Sequence, residues 1–335
     1  MADPKPINLA LQGGGAHGAY TWGVLDRLLQ DDRVVIRAIS GTSAGAMNAA
    51  AVADGLTAGG PDEARRRLAA FWRGISELAG IGPWLRAPST VMGGGWSLDG
   101  SPTYWAFDFA KRALSPYQFN PLNVNPVRDT LAEQIDFERV RHCDRIGLFV
   151  SATNVRTGRI RVFERSELTP DAVMASAALP QVYQAVEIDG EAYWDGGFMG
   201  NPAIFPLIYE TDCPDVVIVQ INPVERPEVP TTPAEIANRV NEISFNSSLM
   251  RELRAISYVT DLLDKGELDP AKHKRIYVHR IAPADEMRAY GASSKFNPEY
   301  AFLAHLHDLG RRNAERWLDE TVPSLGNSST LSFEM

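Results

Sequence analysis

Cysteine is scarce: Cys143 and Cys213 are the only two in 335 residues, too few for a disulfide framework. Both read as small buried apolar residues of a protein kept in a reducing compartment. Long apolar runs are missing as well, and nothing approaches the ~18–20 residues that a membrane span requires. The opening Met1-Ala-Asp-Pro-Lys-Pro6 has no basic region and leads into only a short apolar run, so it lacks the form of a signal peptide. The cytoplasm is the expected location. Positive charge is in deficit: 33 Lys and Arg stand against 42 Asp and Glu, a net charge of −9. With no Lys/Arg-rich run, that balance argues against nucleic acid as a partner and gives no pull toward an anionic membrane. Internal repeats and low-complexity segments are absent.

What remains is an ordinary globular composition, 44% hydrophobic and 22% charged, in a chain long enough for one large or two modest domains. Residues 7–11 form a short apolar run that passes directly into Gln12-Gly13-Gly14-Gly15-Ala16-His17-Gly18. Trp22, Leu25, Leu28 and Leu29 then recur at helical spacing. A second apolar run, 34–39, leads through Gly41-Thr42-Ser43-Ala44-Gly45 into an alanine-rich helix reaching Ala53. Two strand–helix units in so short a span predict an α/β fold with a parallel sheet.

Further helices are expected over 62–78, over 125–135 with Pro126 at the first position, and over 171–178. Strands are expected over 146–152 and 159–163. The stretch 186–194 reads as a hairpin about Asp189-Gly190 that delivers Asp195-Gly196-Gly197. Residues 216–221 read as the last strand of the main sheet. From Gly80 to Pro102 the pattern collapses into glycine and proline with Trp84, Leu85, Met92, Trp96 and Leu98, either a long packed loop or a lid over substrate. Four prolines between Pro223 and Pro233 mark the boundary between residues 1–222 and a mainly helical extension, 223–335, packed on them. There the capping box Thr232-Pro-Ala-Glu235 opens a helix running to Asp264. Its stripe of Ile236, Val240, Ile243, Met250, Leu253, Ile256 and Leu263 is expected to face the core or a second copy rather than a membrane. A strand over 275–281 and a closing helix over 298–320 complete the chain.

Chemistry gathers at three glycine-marked places. Gly41-Thr42-Ser43-Ala44-Gly45 is a G-x-S-x-G pattern between a strand and a helix, the context of a nucleophile elbow. A serine on so sharp a turn needs small neighbours, and the following helix directs its unsatisfied N–H groups toward it. The loop from Gly13 to Gly18 can also be parsed as G-x-G-x-x-G, a dinucleotide site. That reading wants an acidic residue just past the second strand, where Ser40 and Gly41 stand instead. The loop is better read as successive N–H donors forming an oxyanion hole, with a plain tight turn as the other reading. Of the six histidines, His142, His273, His279, His305 and His307 read as structural, and His17 stays open as a group orienting a substrate head group. Asp195, at a strand end with two glycines behind it, is left as the base.

Together and in this order, the three elements resemble the patatin-like phospholipase family. Ser151-Ala-Thr-Asn154, Met174-Ala-Ser-Ala-Ala-Leu-Pro180 and Tyr193-Trp-Asp-Gly-Gly-Phe-Met-Gly-Asn-Pro202 add to the likeness, which covers about residues 6–222. The resemblance implies a three-layer α/β/α sandwich with a mainly parallel central sheet. It implies a Ser–Asp dyad without histidine: Ser43 as nucleophile, Asp195 as base and the amides of Gly13, Gly14 and Gly15 as oxyanion hole. Gly18, Gly41, Gly45, Gly196 and Gly197 support the motifs, and no metal or other cofactor is called for. His17 departs from the family, many of whose members carry Arg or Lys there. The implied activity is hydrolysis of lipid carboxylic esters through an acyl-enzyme, of the phospholipase A or lysophospholipase kind, at a membrane surface. An esterase or thioesterase acting on soluble short-chain or hydroxyalkanoate acyl groups, and a silent lipid-binding protein, are the alternatives. Assembly as a homo-oligomer is left open.

Overall fold

Continuous burial from Ile7 to Leu11 in the first strand already defines a sheet covered on both faces. In β1 (Lys5–Leu11), Ile7, Leu9 and Leu11 enter one apolar core while Ala10 enters another. The computed structural model describes residues 3–78, 95–98, 101–283 and 286–332. Its remaining strands are β2 (Val34–Gly41), β3 (Gly147–Asn154), β4 (Ile160–Glu164), β5 (Val186–Ile188), β6 (Glu191–Asp195), β7 (Asp215–Val219) and β8 (Tyr277–Ile281). They form one sheet in the order β5-β6-β3-β2-β1-β7-β8, with β4 also paired to β3. The run β3-β2-β1-β7-β8 is parallel, and β4, β5 and β6 are antiparallel to their neighbours.

One face is covered by α1 (Gly18–Leu28), α2 (Ala44–Gly59), α3 (Pro61–Glu77) and the helix Tyr300–Thr321, which bury Leu25, Val52, Phe71 and Phe302 in the larger core. The other is covered by the helices Phe205–Tyr209 and Pro233–Asp264, through Leu207, Leu249, Leu253 and Ile256. The result is an α/β/α sandwich with a mixed, mainly parallel sheet. Glycine sets the closest helix contact: a side chain at Gly23 or Gly310 would run into the facing backbone of α1 or Tyr300–Thr321. The last long helix is thereby clamped onto α1, which begins at the glycine loop.

The sequence reading changes in four places. Residues 216–221 do not end the sheet, because β8 pairs in parallel beside β7 from Asp215↔Tyr277 to Val219↔Ile281. The proline-rich stretch after Pro223 is therefore no boundary in the sheet, and the segment beyond it supplies an edge strand as well as helices. The apolar stripe of Pro233–Asp264 is divided: Leu253, Ile256 and Leu263 are buried, whereas Ile236, Val240 and Ile243 are 46%, 58% and 55% exposed. The helix Pro102–Ala113, capped by Ser101, went unread. Of the expected lid or packed loop, 79–94 and 99–100 lie outside the described residues, while Trp96 stacks on Phe302 and Leu98 is buried. Cys143 and Cys213 are free and buried. Among the described residues no helix is long and apolar enough to cross a membrane.

Candidate active site

β3 acts as a ruler for the two ends that matter. Gly147–Val150 pairs with Ala38–Gly41 of β2, and Ala152–Asn154 pairs with Asp195–Tyr193 of β6. Because β4 occupies the opposite edge of β3 at both places, β2 and β6 lie along the same edge. One runs parallel to β3 and the other antiparallel, so they meet end to end. Gly41 stands opposite Val150 and Asp195 opposite Ala152, which brings the residues that follow β2 against the tip of β6.

Ser43 is the residue that follows. Its backbone is in the left-handed region, φ 54 and ψ −122, a strained conformation for a residue with a side chain. The surroundings hold it there: its N–H donates to Ser176 Oγ at 2.8 Å, and its carbonyl accepts from Met47 N at 3.1 Å as α2 begins. Thr42, just before it, donates its hydroxyl to the Gly200 carbonyl at 2.6 Å. Gly41 and Gly45 touch across the elbow, where a Cβ on Gly41 would stand 2.7 Å from the Gly45 carbonyl.

The Asp195 carboxylate lies beside the Ser43 side chain, which favours its ionised form. Asp195 is 1% exposed, and Oδ1 accepts the Gly197 N–H at 2.6 Å. Its backbone is tied down by Asp195 N to Ala178 O at 2.9 Å and by Thr153 Oγ1 to Asp195 O at 2.8 Å. Burial pushes its carboxyl up to about 7, against the opposing pulls of Gly197 N–H, the Ser43 hydroxyl and the charge of Lys295. An aspartate half-ionised near neutrality is a far better proton acceptor than one titrating at its ordinary 3.8.

The glycine loop divides. The Gly13 N–H is spent on Asn201 Oδ1 at 2.7 Å, in the interior, so Gly13 is not available as an oxyanion donor. It lies close under the elbow instead, where a Cβ would sit 2.7 Å from Ser43 Cβ. The N–H groups of Gly14 and Gly15 meet no acceptor among the described residues, and both glycines reach the surface. Gly15 has φ 58, and a Cβ there would lie 2.5 Å from the Lys295 carbonyl. Gly18, one turn on, abuts Ala44 at the start of α2.

His17 does not face substrate. It is 3% exposed, packs against the touching rings of Tyr290 and Phe302, and its Nε2 is 2.8 Å from Ser294 Oγ. Ser294 donates its one proton to the Gly291 carbonyl, so His17 Nε2 is the donor in that pair. Burial and the nearby Lys295 charge hold the imidazole neutral, well below its usual value. The other histidines lie elsewhere; His279, for instance, pairs with Asp215 at 3.0 Å on β7–β8.

Three supporting residues were missed in the sequence. Asn201 holds Gly13, and Ser176 holds the Ser43 amide, although both lie inside stretches quoted for the family likeness. Gln12 is a buried hub whose Oε1 accepts from Ile221 N and Asn222 N while its Nε2 donates to Asn246 and Asn201. A glutamine ahead of three glycines gives no sign of this, since its partners come from distant parts of the chain.

Comparison with known proteins finds similar structures and one matching family. VipD from Legionella pneumophila is similar at 16% identity and a TM-score of 0.37, over 91% of this chain and 67% of that one. Full-length ExoU of Pseudomonas aeruginosa, solved in complex with SpcU, is similar at 14% identity and a TM-score of 0.36, over 95% of this chain and 53% of that one. The chain thus spans about half the length of that ExoU chain. No curated protein matches it. Residues 9–208, from β1 past the Asp195 turn, match the sequence model of the family described as Patatin-like phospholipase. That stretch is more than half of the chain, and the chain belongs to the patatin-like phospholipase family.

Proposed function

We propose that the chain hydrolyses carboxylic esters of lipids, in the manner of a phospholipase A or lysophospholipase, through Ser43 and Asp195. The observation that carries this reading is the pair itself: a partly exposed serine held at φ 54 beside a buried aspartate raised to about 7. Asp195 takes the Ser43 proton as Oγ attacks the ester carbonyl, and the N–H groups of Gly14 and Gly15 receive the oxyanion. Collapse expels the alcohol, which leaves with the proton held by Asp195. Water then attacks the acyl-enzyme, again giving its proton to Asp195, and free acid and Ser43 are restored. The start of α2 adds its positive dipole end to the same place. Family membership supports the lipid substrate.

The test is hydrolysis of a p-nitrophenyl ester chain-length series beside phospholipid vesicles by wild type, Ser43→Ala and Asp195→Asn, with fluorophosphonate labelling of Ser43. Vesicle cleavage lost in both variants is the expected result. Cleavage of short soluble esters alone would keep the pair and move the substrate to the esterase or thioesterase side. Folded wild type that takes no label would refute the assignment of Ser43.

A further inference from the structure

Beneath the middle of the helix Pro233–Asp264, where β7 and β8 end, lies a cavity of about 780 Å³. Its size and place are those of a small-molecule site at the carboxyl ends of parallel strands. The buried Ile218, Leu249 and Leu253 line it, with Met250 and Leu331 half-buried beside them. Arg280 and Arg288 also line it, against one acid, Glu225, in a chain whose net charge is −9. Arg280 is exposed on β8, and its guanidinium has neither a hydrogen-bond nor an ion-pair partner among the described residues. The cavity is therefore apolar within and carries a free cation at its mouth. None of Ser43, Asp195 and the glycines at 13–15 is among the described residues that line it. Asn222 stands between the two places, for it lines the cavity while its Nδ2 donates to the Gly13 carbonyl at 2.9 Å. The exposed stripe of the long helix leads to the same cavity. Ile236, Val240 and Ile243 continue to Met250 at helical spacing on one face, so apolar surface runs from solvent to the cavity wall.

We propose that this cavity is a second binding site, which takes a single-chain amphiphile with an anionic head, a long-chain carboxylate. The tail lies against Ile218, Leu249 and Leu253, and the head meets Arg280, whose planar guanidinium can give a carboxylate two parallel N–H···O bonds. The acid released by the ester hydrolysis proposed above belongs to this class. The site itself rests on the cavity and the free arginine, and it binds whether or not Ser43 and Asp195 turn over.

The experiment titrates dodecanoate, kept below its micelle concentration, into wild type, Arg280→Gln and Met250→Trp, followed by calorimetry and by carbon NMR of the methionine methyl groups. Met250 and Met287 line the cavity, whereas Met47 lies in the first turn of α2 behind Ser43 and Met199 follows the Asp195 turn, so the methyls tell the two places apart. Saturating shifts at Met250 and Met287 are the expected result. Arg280→Gln should weaken dodecanoate by roughly threefold to tenfold, the worth of a partly exposed ion pair. Zwitterionic dodecylphosphocholine should bind more weakly than dodecanoate and be indifferent to that change. Met250→Trp fills the cavity and should weaken dodecanoate by at least about tenfold. No shift at Met250 and Met287, or shifts at Met47 and Met199 alone, overturns the proposal. Unchanged affinity in folded Met250→Trp does the same, and where that variant does not fold, unchanged affinity in the surface variant Arg280→Gln decides against the site. Should wild type hydrolyse no ester, the proposed activity falls, and the methyl shifts still decide whether the cavity binds.

Discussion

Replacing the buried Asp195 should make the protein more stable, by an amount that grows with pH. Asp195 titrates near 7 in the folded protein and near 3.8 when exposed. A carboxyl raised in this way favours folding of its protonated form, and that advantage is lost as pH rises toward the folded value. Near pH 5 the ionisation forgone costs about 1.5 kcal/mol, and above pH 8 about 4 kcal/mol, at 1.36 kcal/mol per pH unit between the two titrations. Asp195→Asn removes this penalty and keeps an oxygen to accept the Gly197 N–H. Its stability relative to wild type should therefore improve by about 2–3 kcal/mol between pH 5 and pH 8. Urea unfolding at the two pH values measures it, with a change in the midpoint gap of roughly 1 M. A gap that stays flat with pH, or a variant less stable than wild type at pH 8, would refute the account of Asp195 as a desolvated carboxyl.

The same titration puts the acid limb of kcat/KM for a soluble ester near pH 7, so that rates at pH 5 are about a hundredth of those above pH 8; a limb near pH 4 would remove Asp195 as the base. Asn201→Ala strips Gly13 N–H of its buried acceptor, which should cost about 1–3 kcal/mol in denaturant unfolding. The loosened loop should also lower kcat by about tenfold with little change in KM. Gly15→Ala meets both the left-handed backbone and the Lys295 carbonyl, and should slow fluorophosphonate labelling of Ser43 while lowering the melting temperature. Unchanged labelling would mean that the loop does not form the oxyanion site.

Local signals were read well and distant ones poorly. The hairpin was legible because Asp189 and Gly190, at φ 51 and 79, are the residue types that a tight hairpin turn of this hand demands. β1 and β2 were legible because strands covered on both faces are continuously apolar. The place of β8 beside β7 was not, since strand pairing between residues 215–219 and 277–281 leaves no trace in either segment. The helix Pro102–Ala113 had its signal, Ser101-Pro102, but followed a glycine- and proline-rich stretch that masked it. At the site, Ser43 and Asp195 stand out because other atoms pack too closely around them for side chains at Gly41, Gly45, Gly196 and Gly197. Asn201 and Ser176 do not, as an asparagine or serine becomes meaningful only once the fold brings it to its partner. His17, whose place in the loop leaves a role toward substrate open in the sequence, is turned by the fold into the packing of Tyr290 and Phe302.

Ser43 and Asp195 depend on strand register rather than on the length of chain between them. One residue inserted between Val150 and Ala152 would displace the end of β6 by ~3.3 Å relative to that of β2, more than the length of a hydrogen bond. Insertions at the Asp189-Gly190 tip, or between α3 and β3, leave that spacing untouched. Chains of this design can therefore lengthen freely between Ser43 and Asp195, acquiring lids and appendages, while β3 from Val150 to Ala152 admits no insertion or deletion.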